Sequence, residues 1–356
     1  MNRQALSPRV EAIVAAVLFG AATPVSKLLL GTIQPLQLAG LLYLGAGFAG
    51  ALYLVVSTKR SDSRGYRLSP NQVLALLGAL VAGGLLAPIL LLYGLRATPA
   101  GTTSLLLNFE SVATALIAGV VFHEAVGRRT WLAIGLITAA GCLLALRTAA
   151  SWGLSWGVLG IVGACVGWGL DNNWTRLISD WDPMAIVCIK GLGAGSLTSA
   201  LALVLGQRFP EWREAAMAVG LGAVSYGWSI ALFVRALREL GAARTGALFG
   251  TAPFLGALVS WAILKETPSA ATAVAAPLML AGAWLLLTES HGHFHHHPAL
   301  EHDHTHTHDD GHHDHVHAGG DVPPGTRHSH PHRHEAMTHE HPHAPDLHHR
   351  HGHRRG

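Results

Sequence analysis

Two shortages divide this chain. Its first 290 residues hold one histidine, His123, and three cysteines, Cys142, Cys165 and Cys188, which share no motif spacing. Such a body offers no disulfide framework, no closed cysteine site for zinc and no path of imidazole or thiolate ligands. Charge is scarce too, at 13% of residues. A water-soluble α/β protein needs charged faces and amphipathic alternation, and both are missing here. From residue 291 onward the shortage reverses: leucine, isoleucine and phenylalanine nearly vanish, so that stretch cannot bury a core.

Apolar sequence fills the body. Mean hydropathy over the whole chain is +0.35, although the polar tail dilutes it. Ten apolar stretches recur up to Thr288, at about 10–30, 35–56, 71–95, 101–122, 130–147, 153–177, 183–205, 214–236, 242–264 and 268–288. Most are near the ~20 residues that carry a helix across a hydrocarbon core, and they are apolar all round. Glycine and alanine are abundant in them, as close helix packing in lipid favours. The sequence predicts an all-α membrane protein of ten transmembrane helices with the lipid bilayer as its partner. The first stretch contains Lys27 and runs straight into the second, so it reads as a span and not as a cleaved signal. The cysteines fall inside predicted helices and read as packing residues.

Basic residues set the expected orientation. With the N-terminus inside, twelve fall on that side, among them Lys59, Arg60, Arg64, Arg67, Arg128 and Arg129. Only Arg96, Arg147, Arg208, Arg213 and Lys265 fall opposite. The positive-inside rule then places both termini in the cytoplasm, which suits a bacterial inner membrane.

The two halves also match each other. Without a gap, Leu95-Arg96 aligns with Leu237-Arg238, Ala100 with Ala242, Thr103 with Thr245, Leu106 with Leu248 and Glu124 with Glu266. Phe19-Gly20 aligns with Trp168-Gly169, and Lys27 with Arg176. Five spans per half is an odd number, so the second repeat must be inverted, the usual basis of alternating access. The expected division is residues 1–147 for the first repeat, 148–288 for the second and 289–356 for a tail.

The segments FGAATPVSKLLL, GLRATPAGTTSLLLNFESVATALIAGVVFHE and ALRELGAARTGALFGTAPFLGALVSWAILKE resemble the two EamA repeats of the drug/metabolite transporter superfamily. GWGLDNNWTRLIS is similar to a subgroup of bacterial EamA-type proteins. The resemblance covers roughly residues 10–288. It implies a secondary transporter, commonly an exporter of small metabolites or amino acids, and it leaves the tail aside.

Ionisable groups inside a bilayer are costly and need a partner, a wet cavity or a function. Glu110 sits nine residues into the fourth stretch, near the midplane, and its repeat counterpart is Ala252. A carboxyl group that moves between dry and wet surroundings can carry a proton, so Glu110 is the candidate coupling group. Its structural alternative is a packing role against Asn108 or Thr114. Asp171, Asn172, Asn173 and Arg176 cluster near the inner end of the sixth span, with Trp168 one turn away. Lys190 lies at a similar depth on the seventh, so an Asp171–Lys190 pair is expected, fixing register or walling the solute path. Lys27 is expected to snorkel to the interface, and His123 and Glu124 to be interfacial. Tyr93, Trp168, Tyr226 and Trp228 are weighed as cavity aromatics or as packing and interface anchors. Gly250 and Pro253 form the expected hinge of the ninth span.

The tail carries 24 of the 25 histidines. They alternate with other residues at His302, His304, His306 and His308, and again at His312, His313, His315 and His317. Disorder is expected, with exchangeable sites for zinc, nickel, cobalt or copper and no choice among them. Ten acidic side chains against five arginines also make it a possible pH sensor near the imidazole pKa of about 6.5. Taken together, the chain is expected to be a transporter and not an enzyme. It needs no cofactor, carries a small solute with proton or ion coupling, and shows nothing directed at nucleic acid. Transport of the metal itself, and a membrane-anchored metal buffer, remain the alternatives.

Overall fold

Long apolar sequence bounded by Pro at helix starts gives helices here. Pro8, Pro35, Pro70 and Pro183 each open one, where a missing N–H costs nothing. The computed structural model describes residues 7–56, 69–122, 127–148, 155–178, 181–240, 245, 248–287, 291–297, 300–306, 328–334 and 337–343. Up to residue 287 it is helical: α1 Pro8–Gly20, α2 Ala22–Leu29, α3 Pro35–Val56, α4 Pro70–Ala79, α5 Ala87–Ala97, α6 Ala100–Leu106, α7 Phe109–Val120, α8 Arg128–Thr148, α9 Trp156–Arg176, α10 Pro183–Val204, α11 Trp212–Gly222, α12 Ser229–Leu240, α13 Ala252–Leu264 and α14 Ala270–Leu287.

Several of these are pieces of one span. Among the described residues, seven segments are long and apolar enough to cross a membrane: Pro8–Leu29, Pro35–Val56, Pro70–Ala97, Ala100–Val120, Arg128–Ala145, Pro183–Val204 and Trp212–Ala236. The more polar α9 and the shorter α13 and α14 pack in the same bundle. Large hydrophobic side chains such as Leu52, Val55, Leu74, Leu132, Leu197, Val204 and Leu280 point outward, as a lipid-facing surface requires. The chain is a multi-pass membrane protein.

Glycines set how closely the helices approach. On α3 and α10, Gly47 faces Gly191 and Gly40 faces Gly195, and a Cβ at any of the four would collide with the opposing backbone. Gly20 of α1 and Gly256 of α13 form a second such crossing.

Three breaks depart from the uninterrupted spans expected from the sequence. The first span turns at Ala21, between α1 and α2. The fourth turns at Leu107-Asn108, where the Asn108 amide donates to the Leu105 carbonyl at 2.8 Å and competes with the helix. The ninth turns at Gly250-Thr251, and α13 restarts with Pro253 in its first turn, so the expected hinge residues do sit at a break. The repeat register that pairs Leu95 with Leu237 lays the break at 107–108 on 249–250. It also lays Leu80–Leu86 on 222–228, and both Leu80–Leu86 and Ala223–Trp228 are π-helical. Wide turns of this kind are rare and favour functional sites. Two matched irregularities support the internal duplication independently of side-chain identity.

The end of the bundle that carries Pro8 and Leu287 is here the terminal face. The opposite end, with the connections at 30–34, 98–99 and 265–269, is the far face. Near the terminal face Arg235 Nη2 meets the buried Glu11 carboxylate at 2.7 Å and ties α12 to α1.

Residues 290–345 form a separate small unit. Where disorder was expected, four segments are extended: β1 His291–His297, β2 Leu300–His306, β3 His328–His334 and β4 Met337–His343. β1 pairs antiparallel with β4, setting His293 opposite His341, and β2 with β3, setting His304 opposite His330. Alternation of histidine with other residues has the two-residue period of a strand. His302, His304 and His306 fall in β2. His308, His312, His313, His315 and His317 lie outside the described residues, as do His123 and Glu124.

Candidate functional site

Helix α9 organises the polar interior, because its polar residues fall on two adjacent faces. Cys165, Gly169, Asn172 and Asn173 follow the spacing of one face and meet α6 and α7. Cys165 Sγ approaches the Leu106 carbonyl at 3.7 Å, which the break at 107–108 leaves without its usual helical partner. Gly169 lets α7 come against the backbone at Ala113 and Thr114. Asn173 donates to the Thr114 carbonyl at 3.1 Å and to its own helix at Gly169, 2.8 Å. Asn172 donates to Glu110 Oε1 at 3.0 Å and to Thr114 Oγ1 at 3.1 Å.

Glu110 is thus held from a neighbouring helix. The partners considered from sequence, Asn108 and Thr114, serve it differently. Asn108 is spent on the helix break, and Thr114 donates its hydroxyl to the Glu110 backbone carbonyl at 2.8 Å.

The other face of α9 carries Trp168, Asp171 and Thr175. Lys190 Nζ lies 2.5 Å and 2.6 Å from the two Asp171 oxygens, so the expected pair is formed and is bidentate. Thr175 adds a third bond to Asp171 at 2.8 Å. The carboxylate fits only because position 83, in the first π-helical segment, is glycine; a Cβ there would overlap it. Trp168 Nε1 and the Tyr43 hydroxyl both donate to the Gly83 carbonyl, at 3.0 and 2.7 Å. A wide turn exposes a carbonyl that an α-helix would satisfy, and two aromatic donors from α9 and α3 take it up.

These groups surround a cavity of about 810 Å³. Glu110, Asn108, Trp168, Asp171, Asn172, Arg176 and Lys190 all line it, as do Gly250 and Pro253; of the proposed solute-path residues only Asn173 faces away, into the α7–α9 contact. Most of the wall is apolar and aromatic. Phe19, Tyr43, Tyr226, Phe233 and Phe249 line it, and Phe19 packs against both Tyr226 and Phe249 at ring-centroid distances of 5.6 and 5.2 Å. Tyr226 and Trp168 therefore belong to the cavity, while Tyr93 and Trp228 face outward. Tyr43, Phe233 and Phe249 carried no signal in the sequence, since a lone aromatic in an apolar helix usually packs.

The cavity is asymmetric. Its lining reaches Arg176, Trp181, Pro183 and Leu286 at the terminal face. No residue of 27–34, 95–101 or 261–269 takes part in it. Among the described residues, no histidine lines it, and no cluster of three or more His, Cys, Asp or Glu is placed to hold a metal ion.

The chain matches the EamA-like transporter family twice, over residues 10–147 and 155–288. It is 28% identical over 297 residues to an "Uncharacterized transporter" of Methanothermobacter thermautotrophicus, covering 78% of this chain and 85% of that protein. A solved crystal structure with 17% identity superposes with a TM-score of 0.56, covering 79% of this chain and 98% of the other, a likeness of fold.

Proposed function

Because the chain belongs to the EamA-like transporter family, matching it in both halves, we propose that it is a secondary active exporter of a small metabolite or amino acid. It has ten spans in two inverted repeats and works by alternating access in a bacterial inner membrane, with both termini cytoplasmic. The observation that carries this reading is the cavity itself. It lies between the two repeats, reaches one face only, and holds a carboxylate near the midplane. Glu110 is the coupling group: its carboxylate lines the cavity and, among the described residues, is tied by Asn172 alone, so water entering from the open face reaches it. The Asp171–Lys190 pair and Arg176 form the polar wall at the terminal end, and aromatic rings hold the apolar part of the solute. Gly250 and Pro253 serve as the hinge of the ninth span.

The histidine-rich tail binds zinc, nickel, cobalt or copper as a local store beside the carrier, through residues such as His302, His304, His306, His308, His312, His313, His315 and His317. Metal is not the cargo in this reading, since the described part of the cavity wall offers carboxylates and aromatics with no imidazole. One experiment separates the possibilities: untargeted solute profiles and metal contents of cells lacking the protein, overproducing it, or producing it without residues 289–356. Export predicts a small organic solute that falls inside and rises outside on overproduction, with or without the tail. Metal content should change only when the tail is present. An unchanged solute profile with a body-dependent change in metal would reverse the assignment, and a tail-dependent metal change alone would leave a membrane-anchored buffer.

A further inference from the structure

The sequence assigns Lys27 to the lipid interface and gives Glu266 no role beyond a repeat match. The structure puts both on one turn. The 98–99 connection joins the end of α5 to the start of the span Ala100–Val120 at the far face. Lys27 Nζ donates to the carbonyls of Leu95, Arg96 and Thr98 at 2.6, 3.1 and 3.0 Å, gathering the loose acceptors at the C-terminus of α5. On the other side of the turn, Glu266 Oε1 and Oε2 accept from the backbone N–H groups of Ala100 and Gly101 at 2.8 and 2.9 Å. A cation thus sits where a helix ends and a carboxylate where the next begins, each complementing the helix dipole.

Two local features build this arrangement. Lys265 adopts the left-handed backbone (φ 54°) that ends α13 and turns the chain, a conformation that non-glycine residues seldom take. That turn brings Glu266 back over the start of α6. Gly101 leaves room for the Trp261 indole, which a Cβ there would strike, and for the Glu266 carboxylate, which it would crowd. The contacts join three elements that are remote in sequence: α2, the α5–α6 turn and the segment after α13. They also lie on the face that the cavity does not reach.

We propose that Lys27 and Glu266 form the latch that holds the far face closed, and that releasing it opens the cavity to that side. The inference rests on the alternating-access reading, but its test needs no substrate. Spin labels at the exposed positions Ala97 and Thr267, introduced as cysteines in full-length protein lacking Cys142, Cys165 and Cys188, report the far-face separation by pulsed dipolar spectroscopy. Glu266→Gln keeps the shape of the side chain and removes its charge; Lys27→Met removes the three donors. Each should raise the share of a longer-distance component by roughly tenfold, since charged hydrogen bonds are lost from one state alone. An unchanged distance distribution in both variants, or loss of folded protein in both, would overturn the latch. Unchanged distances in a protein whose cavity still exchanges between faces would leave the transport reading standing.

Discussion

Replacing Lys190 by methionine should remove about 3–5 kcal/mol of stability, enough to leave little folded protein at ordinary temperatures. Both members of the Asp171–Lys190 pair are nearly out of solvent, at 9% and 15% side-chain exposure. Among the described residues, removing the ammonium leaves the Asp171 carboxylate with the Thr175 hydroxyl alone, against the backbone of a π-helical turn that has no side chain to move aside. The cost comes from the stranded charge and much less from the loss of attraction, so the double replacement Asp171→Asn with Lys190→Met should recover most of it. Thermal unfolding in detergent reads both proteins. A single variant as stable as the parent would mean that the pair is wet and belongs wholly to the solute path.

Glu110→Gln should give the opposite pattern, an intact protein that no longer couples. Glutamine keeps an oxygen for the Asn172 amide, so the tie between α7 and α9 survives. What disappears is the carboxyl group proposed to gain and lose a proton as the cavity changes faces. With the exported solute in hand, gradient-driven flux in proteoliposomes should fall by roughly tenfold or more, while exchange of solute without a gradient persists. Undiminished gradient-driven flux would move the coupling elsewhere, with Asp171 next in line.

How far the sequence foretold this site depends on the kind of signal. A charge inside an apolar run is conspicuous because lipid makes it expensive, so Glu110, Asp171 and Lys190 stood out, and helical arithmetic paired the last two. The breaks at 107–108 and 250–251 were half visible through Pro253 and Gly250. The π-helical segments were not, because a widened turn needs no proline and is set by what accepts its freed carbonyl. Tyr43 and Trp168 do that for Gly83, across three different helices. Lys27 was misread for a related reason. A lysine near the end of a span ordinarily reaches water, and nothing local reveals that three carbonyls nearly 70 residues away wait for it. Glu11 with Arg235, far apart in sequence, escaped in the same way. For the tail, lack of apolar residues argued against a core, while the two-residue alternation within β1 to β4 is a strand-period signal that stands beside that composition.

Alternating exposure of one cavity is the centre of this account, and thiol labelling at Ser111 measures it most directly. Ser111 lines the cavity beside Glu110, is exposed, and among the described residues its hydroxyl makes no hydrogen bond. In a background with Cys142→Ala, Cys165→Ser and Cys188→Ala, Ser111→Cys is treated with a membrane-impermeant maleimide in right-side-out and inside-out vesicles. The account predicts fast labelling from the terminal face and slower, measurable labelling from the far face. Labelling from one face only, however long the exposure, or from neither, would contradict it.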